Sequence, residues 1–169
     1  VRMRGGESAL LERNARLDPV AGVRLRNLVT LQESYAASAE ALDASRGALS
    51  DSNAAVRLQG ALHLGKEGVP TLAALASAED VPADIRDRAL RELLARGDPG
   101  TIAPALETIV LGSGPEALRL AALRAIGRLG TRTAVPALVS LLGSGEKSAL
   151  LAGAAAALGE LGDAGAGAE

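Results

Sequence analysis

The sequence of 169 residues predicts an all-α fold, an α-solenoid of about five stacked helical hairpins behind an N-terminal capping helix, and three observations predict it. Ala and Leu supply 36 and 29 residues, both strong helix formers, whereas Tyr35 is the single aromatic residue of the kind sheets favour. An aliphatic residue followed by Arg recurs along the chain, as Val23-Arg24, Val56-Arg57, Ile85-Arg86 and Leu118-Arg119, and Leu150-Leu151 continues the series with the arginine lost. The intervals are 33, 29, 33 and 32 residues, the period of a repeated supersecondary unit. Finally, apolar residues at helical spacing stop at glycine and restart at a proline-marked second run, so each repeat reads as two helices.

Residues 1–18 read as a capping helix that covers the first repeat, on the strength of Leu10, Leu11 and Leu17 set among charges. Repeats then start near residues 19, 52, 82, 114 and 146 of a single domain spanning 1–169. Asp18-Pro19, Asp51 and Asp80 precede first helices, and Ser113-Gly114-Pro115-Glu116 has capping-box spacing. The second repeat has a short connection, Lys66-Glu67-Gly68, before Val69-Pro70-Thr71-Leu72. In the third, Ile85, Ala89, Leu90 and Leu93 precede Gly97-Asp98-Pro99-Gly100, and Ile102, Pro104, Leu106 and Ile109 follow.

The fourth repeat is the clearest. Leu118, Ala121, Ala122, Ala125, Ile126 and Leu129 share a face, Gly130 stops the helix, and the second helix opens at Thr133-Ala134-Val135-Pro136 to bury Leu138, Leu141 and Leu142. Pro70, Pro104 and Pro136 are expected in the first turn of each second helix, where the missing N–H costs nothing. Leu158-Gly159-Glu160-Leu161-Gly162-Asp163 closes a fifth first helix with no partner helix after it, so the last repeat is incomplete and self-association through it is one expectation. The residues Leu118 to Gly130 with Val135-Pro136-Ala137-Leu138 resemble the bacterial HEAT-like repeats first associated with phycobilisome lyases. That resemblance implies paired helices working as a protein-binding scaffold, with second helices on the concave side.

Composition narrows the function further. A formal net charge of −2 and a pI near 5.5 exclude a generally basic nucleic-acid binder, and the absence of Cys removes disulfides, thiol catalysis and thiolate metal sites. No window reaches the 18–20 uninterrupted apolar residues of a membrane span, which leads to the expectation of a soluble, cytoplasmic protein without membrane insertion. Val1 at the start and the Ala164–Glu169 tail suggest a portion of a longer chain.

Candidate sites are few. Stacking would align Arg24, Arg57, Arg86 and Arg119, and such a ladder either binds an anionic partner or pairs with acids and carbonyls at the turns; pairing is the preferred reading, with Asp84, Glu116 and Asp98 as available acids. His63 is the single histidine, and the iron-binding His-Glu pairs of HEAT-like hydroxylases are absent, so no metal site is expected. Gly65, Gly127, Gly130, Gly159 and Gly162 read as helix ends and close-packing positions, since no strand precedes them and no Gly-Lys-Ser/Thr follows. Residues 1–26 carry six Arg against three acids, read as a solvated face.

The opposite face of the second helices carries Ala74 and Ser77, then Glu107, Thr108 and Leu111, then Val139 and Ser140, and this is the expected protein-binding face. The repeats and the absence of a catalytic constellation therefore point to a non-enzymatic scaffold, with no cofactor, binding a protein partner or another domain, and the resemblance implies a bacterial type. A bilin lyase-like auxiliary or chromophore chaperone, and a purely structural, self-associating segment of a larger protein, are the alternatives.

Overall fold

The structure, a computed structural model, describes residues 3–166, with side chains from 6 to 162. Readings made of Val1, Arg2, Arg4 and the Ala164–Glu169 tail rest on side chains or residues outside that range. Every regular element among the described residues is helical, and the chain divides into two compact units, Val1–Leu75 and Ala76–Glu169.

In the first unit, α1 (Met3–Leu17) precedes a hairpin of α2 (Ala21–Tyr35) and α3 (Ala39–Ala48) and then α4 (Ala54–His63), a 3-10 turn at Gly65–Gly68 and the start of α5 (Val69–Ser77). Its core is small and aliphatic: Leu28, Leu31, Ala41, Ala44 and Val56 are sealed, with Leu11, Leu25 and Tyr35 packed against them. The covering face of α1 is Ser8, Leu11 and Ala15, at spacings of three and four, and not Leu10 and Leu17, which are 57% and 71% exposed. At 100° per residue those two leucines share a stripe turned away from the Leu11 face, so α1 presents one of its three leucines to the core.

The second unit holds the end of α5, then α6 (Ala83–Arg96), α7 (Pro99–Leu111), α8 (Glu116–Leu129), a 3-10 turn at Arg132–Ala134, α9 (Val135–Leu142) and α10 (Ser148–Ala166). Leu123 and Ile126 of α8 are fully buried, as are Leu106 and Ile109 of α7 and Leu138 of α9. Helix α8 is packed by α6, α7 and α10, and α9 by α7 and α10. Leu129 and Leu142, expected inside, lie 38% and 40% exposed. Both are the last residues of their helices, where the chain turns.

Helix starts differ from expectation in an instructive way. Asn53, not Asp51, caps α4 by accepting from Ala55 and Val56 N–H, while Asp51 and Asp18 accept from the backbone N–H two residues on, Asn53 and Val20, each at 2.8 Å. Pro82 and Pro115 occupy the N-cap positions of α6 and α8, and neither Asp80 nor Ser113 caps. Asp98 caps α7 through Thr101 N at 3.1 Å with Pro99 at the first turn, which starts the helix five residues before Pro104. Pro104 therefore lies inside α7, and the stretch that is α-helical there corresponds to the separate 3-10 turn before α9.

At its C-terminus α8 closes with Gly130 at φ 65°, where Gly130 N–H reaches Gly127 O and Thr131 N–H reaches Ile126 O, the paired bonds of a Schellman motif. Helix α10 runs through Gly159 and Gly162 rather than ending at them. Gly127 is buried against Ala157 and Glu160 of α10, and Gly68 sits on the backbone of Ala61. Because a Cβ at Gly68 would meet that rigid backbone, Gly68→Ala is expected to cost about 1–3 kcal/mol or more. A Cβ at Gly159 meets nothing within 4 Å, so Gly159→Ala is expected to stabilise by about 0.4–1 kcal/mol. Urea denaturation midpoints of the two variants check the opposite signs.

Candidate protein-binding face

The exposed side of α7 carries Pro104, Glu107, Thr108 and Leu111, spaced so that they form one stripe, and α9 repeats the arrangement 32 residues later with Pro136, Val139 and Ser140. Inward-facing Leu106, Ile109, Leu138 and Leu141 anchor the two helices and fix which sides remain outside. Leu111 and Val139 are 54% and 57% exposed, Thr108 and Ser140 are exposed, and Glu107 is half-buried. The Thr108 hydroxyl donates to Pro104 O at 2.9 Å, back along its own helix. Ala74, in the first unit, is exposed on α5, and Ser77, in the second, is partly exposed at the end of that helix.

Next to the α7 stripe lies a cleft of about 530 Å³. Pro99, Ala103, Pro104 and Glu107 of α7 form one wall, and Thr131 and Arg132 of the turn after α8 form the other. The wall owes its position to the left-handed Gly130, which reverses the chain so that the turn lies across the first half of α7. Thr131 is 8% exposed, and its Oγ1 is shielded from solvent with no hydrogen-bond partner among the described residues.

The four repeated arginines are occupied at turns. In the first unit Arg24 grips Asp51 with two bonds of 2.7 Å, Nε to Oδ2 and Nη2 to Oδ1, and its Nη1 donates to Asp18 O. Arg57 Nη1 donates to Asp51 O and Ser52 O. In the second unit Arg119 Nε donates to Val110 O at 3.0 Å and its Nη1 to Glu146 Oε1 at 2.9 Å, and Arg86 Nε donates to Ala76 O at 3.3 Å. The acids engaged are Asp51 and Glu146 rather than Asp84, Glu116 or Asp98; Glu116 pairs with Lys147, and Asp98 caps α7. Both ion pairs span 27 residues, a regularity present in the sequence that an inspection of nearest acids misses.

Hydrogen bonding to Arg24 holds the Asp51 carboxyl below the usual carboxylate range, reinforced by the Asn53 amide and opposed by burial. His63 Nε2 donates to Ala36 O at the end of α2, 3.0 Å away, which is a structural role. The first unit also contains a buried polar relay that hydrophobic patterning hides: Gln59 Nε2 donates to Gln32 Oε1, Gln32 Nε2 to Ser45 Oγ, and Ser45 Oγ to Ala41 O. Among the described residues no group of three or more His, Cys, Asp or Glu is placed to hold a metal ion. No helix of the described residues is long and apolar enough to cross a membrane.

Residues 103–168 match the family of HEAT repeats, the stretch from α7 to the end of the chain. That match, together with the all-helical architecture of the described residues, supports a HEAT-like repeat protein. No curated protein matches the chain.

Two substitutions, one in each unit, test these contacts. A carboxyl whose pKa is lowered on folding contributes stability above its unfolded pKa, about 3.9, and loses it as pH falls through the lower folded value. Asp51→Asn is thus expected to cost about 2 kcal/mol at pH 7, with the gap to wild type closing in acid below about pH 4, as read from melting curves across pH. Thr131→Val removes the orphaned hydroxyl and is expected to leave stability unchanged or raise it by about 1 kcal/mol, against the usual loss for a buried polar-to-apolar exchange.

Proposed function

We propose that this HEAT-like repeat protein is a non-enzymatic scaffold that holds a protein partner, or another domain, on the exposed side of its second helices. The observation that carries the reading is the recurrence of an exposed stripe on consecutive second helices, α7 and α9, each mixing an aliphatic residue with a hydroxyl. Leu111 and Val139 are exposed though each lies beside fully buried neighbours, Ile109 and Leu138, so the helices are specified on both sides and not merely on the inner one. Ser77, at the end of α5 in the second unit, and Ala74, on α5 in the first, are the other small residues assigned to the binding role, each within its own unit.

The chemistry favours a polypeptide over other partners. Glu107 stands in the middle of the α7 stripe and would repel a phosphate backbone, while the surrounding aliphatic and hydroxyl groups suit the alternating apolar and amide surface of a peptide chain. Without Trp, Tyr or Arg at its centre, the face suits an extended contact of moderate affinity. The tetrapyrrole alternative draws no support from the cleft, whose lining carries one cation, Arg132, and no aromatic ring.

A photo-crosslinking amino acid at Val139 is expected to trap a partner protein that the same probe at Ala117, exposed on α8, does not. Placing cations in the stripe with Glu107→Lys and Thr108→Arg together is expected to weaken that partner's binding at least about tenfold, measured by titration, with an unchanged helical circular dichroism signal. Equal affinity in the double variant would remove the assignment of this face.

A further inference from the structure

The buried arginines of the second unit are not equivalent, and the difference falls on one exposed serine. Arg119 is 6% exposed and its charge meets the carboxylate of Glu146, 27 residues on. Arg24, in the first unit, is 9% exposed and meets Asp51 at the same offset. Arg86 is the most buried of the three, 4% exposed, yet its one hydrogen bond is Nε to Ala76 O, and no carboxylate lies within ion-pair distance of it among the described residues. With no carboxylate in contact, its Nη groups keep the capacity to take one, so their neighbours matter.

Counting the same 27 residues from Arg86 reaches Ser113. The guanidinium is turned toward that loop: a Cβ on Gly114 would lie 2.7 Å from Arg86 Nη2. Ser113 is exposed in the sequence Gly112-Ser113-Gly114-Pro115 between α7 and α8, and Glu79 Oε1 holds it by accepting from its N–H at 2.8 Å and its hydroxyl at 2.9 Å. Those two bonds, together with the field of Arg86, keep the Glu79 carboxyl below the usual range. Glu79 thus acts at a distance where Asp51 and Glu146 act in contact.

We propose that Ser113 is a phosphorylation site whose phosphate is read by Arg86. In the modification, Ser113 Oγ attacks the γ-phosphorus of ATP held by a protein kinase. The Oγ–P bond forms, the bond to the bridging oxygen of the β-phosphate breaks to release ADP, and the hydroxyl proton passes to a base of the kinase. The product places a near-dianion at the position where the sister repeats carry a carboxylate, and it offers oxygens to the unused Nη groups of Arg86. It also removes the hydroxyl donor from Glu79 and repels that carboxylate, so the α7–α8 loop exchanges one tether for another. The proposal is independent of the binding face on α7 and α9.

The test uses the full chain with phosphoserine encoded at position 113 and follows the phosphate by phosphorus NMR as pH is varied. A free phosphoserine loses its second proton near pH 6, and contact with Arg86 is expected to lower that midpoint by about one unit. Arg86→Gln is expected to restore it to about 6, and Arg86→Lys, which keeps the charge should the Gln variant fail to fold, to lie between. Glu79→Gln is expected to raise the melting temperature of the phosphorylated chain relative to Glu79, because it removes the repulsion. Mass spectrometry of the chain purified from its own cells is expected to find the phosphate on Ser113. A midpoint near 6 that is indifferent to Arg86, or a Ser113 unmodified in cells under every growth condition sampled, overturns the proposal.

Discussion

A helix that is apolar on more than one face needs more than one neighbour, and this constraint organises the second unit. Helix α8 buries Leu118, Ala122, Leu123, Ala125 and Ile126, which no single partner could cover, and α6, α7 and α10 each pack against it. The backbone is brought close enough for this by small residues: Gly127 of α8 faces Ala157 and Glu160 of α10, and Gly153 of α10 faces Leu120 and Leu123. An Ala- and Leu-rich composition is therefore a packing requirement as much as a helical preference. Aromatic side chains would hold the helices apart, and Tyr35 sits at the margin of its cluster with its hydroxyl on Glu7.

Apolar burial alone does not fix where one hairpin hands over to the next, because an aliphatic interface tolerates sliding. The arginines and the acids 27 residues beyond them supply that register. Arg24 reaches back to carbonyls at Asp18 and Pro19 and forward to Asp51, so one side chain ties the entry of α2 to the turn before α4. Arg119 does the same between Val110, near the end of α7, and Glu146, before α10. Planar guanidinium groups suit this because their several donors satisfy carbonyl and carboxylate at once, something a lysine ammonium would do with less directional definition.

The helical pairing was legible in the sequence because it is written in short-range features: glycine stops such as Gly130, the Asp98-Pro99 start, and leucines at spacings of three and four. What sequence reading misplaced was decided elsewhere. Leu142 and Leu129 continue the apolar pattern but fall at helix ends, where exposure depends on whether a neighbour extends past them. Ser113 has the spacing of a capping box, yet Glu79, 34 residues away, claims both its hydroxyl and its amide. Pro104 looked like a helix start because Pro136 is near one, and the cap at Asp98 overrode it. The Gln59–Gln32–Ser45 relay and the cleft beside α7 depend on residues brought together from separate helices, which no local pattern encodes.

The same division between local and distant information separates the candidate face from the chemistry beside it. Exposure on α7 and α9 follows from which side each helix buries, and that side is set by periodicity. The chemistry there depends instead on details such as the half-buried Glu107, the Thr131 hydroxyl, unpartnered among the described residues, and the turn fixed by Gly130, whose arrangement belongs to the folded unit. A repeat framework places many side chains at regular intervals and leaves most of them chemically mild. Its specificity must then come from departures from regularity, and Ser113, standing where its sister repeats hold an acid against a buried arginine, is a departure of that kind.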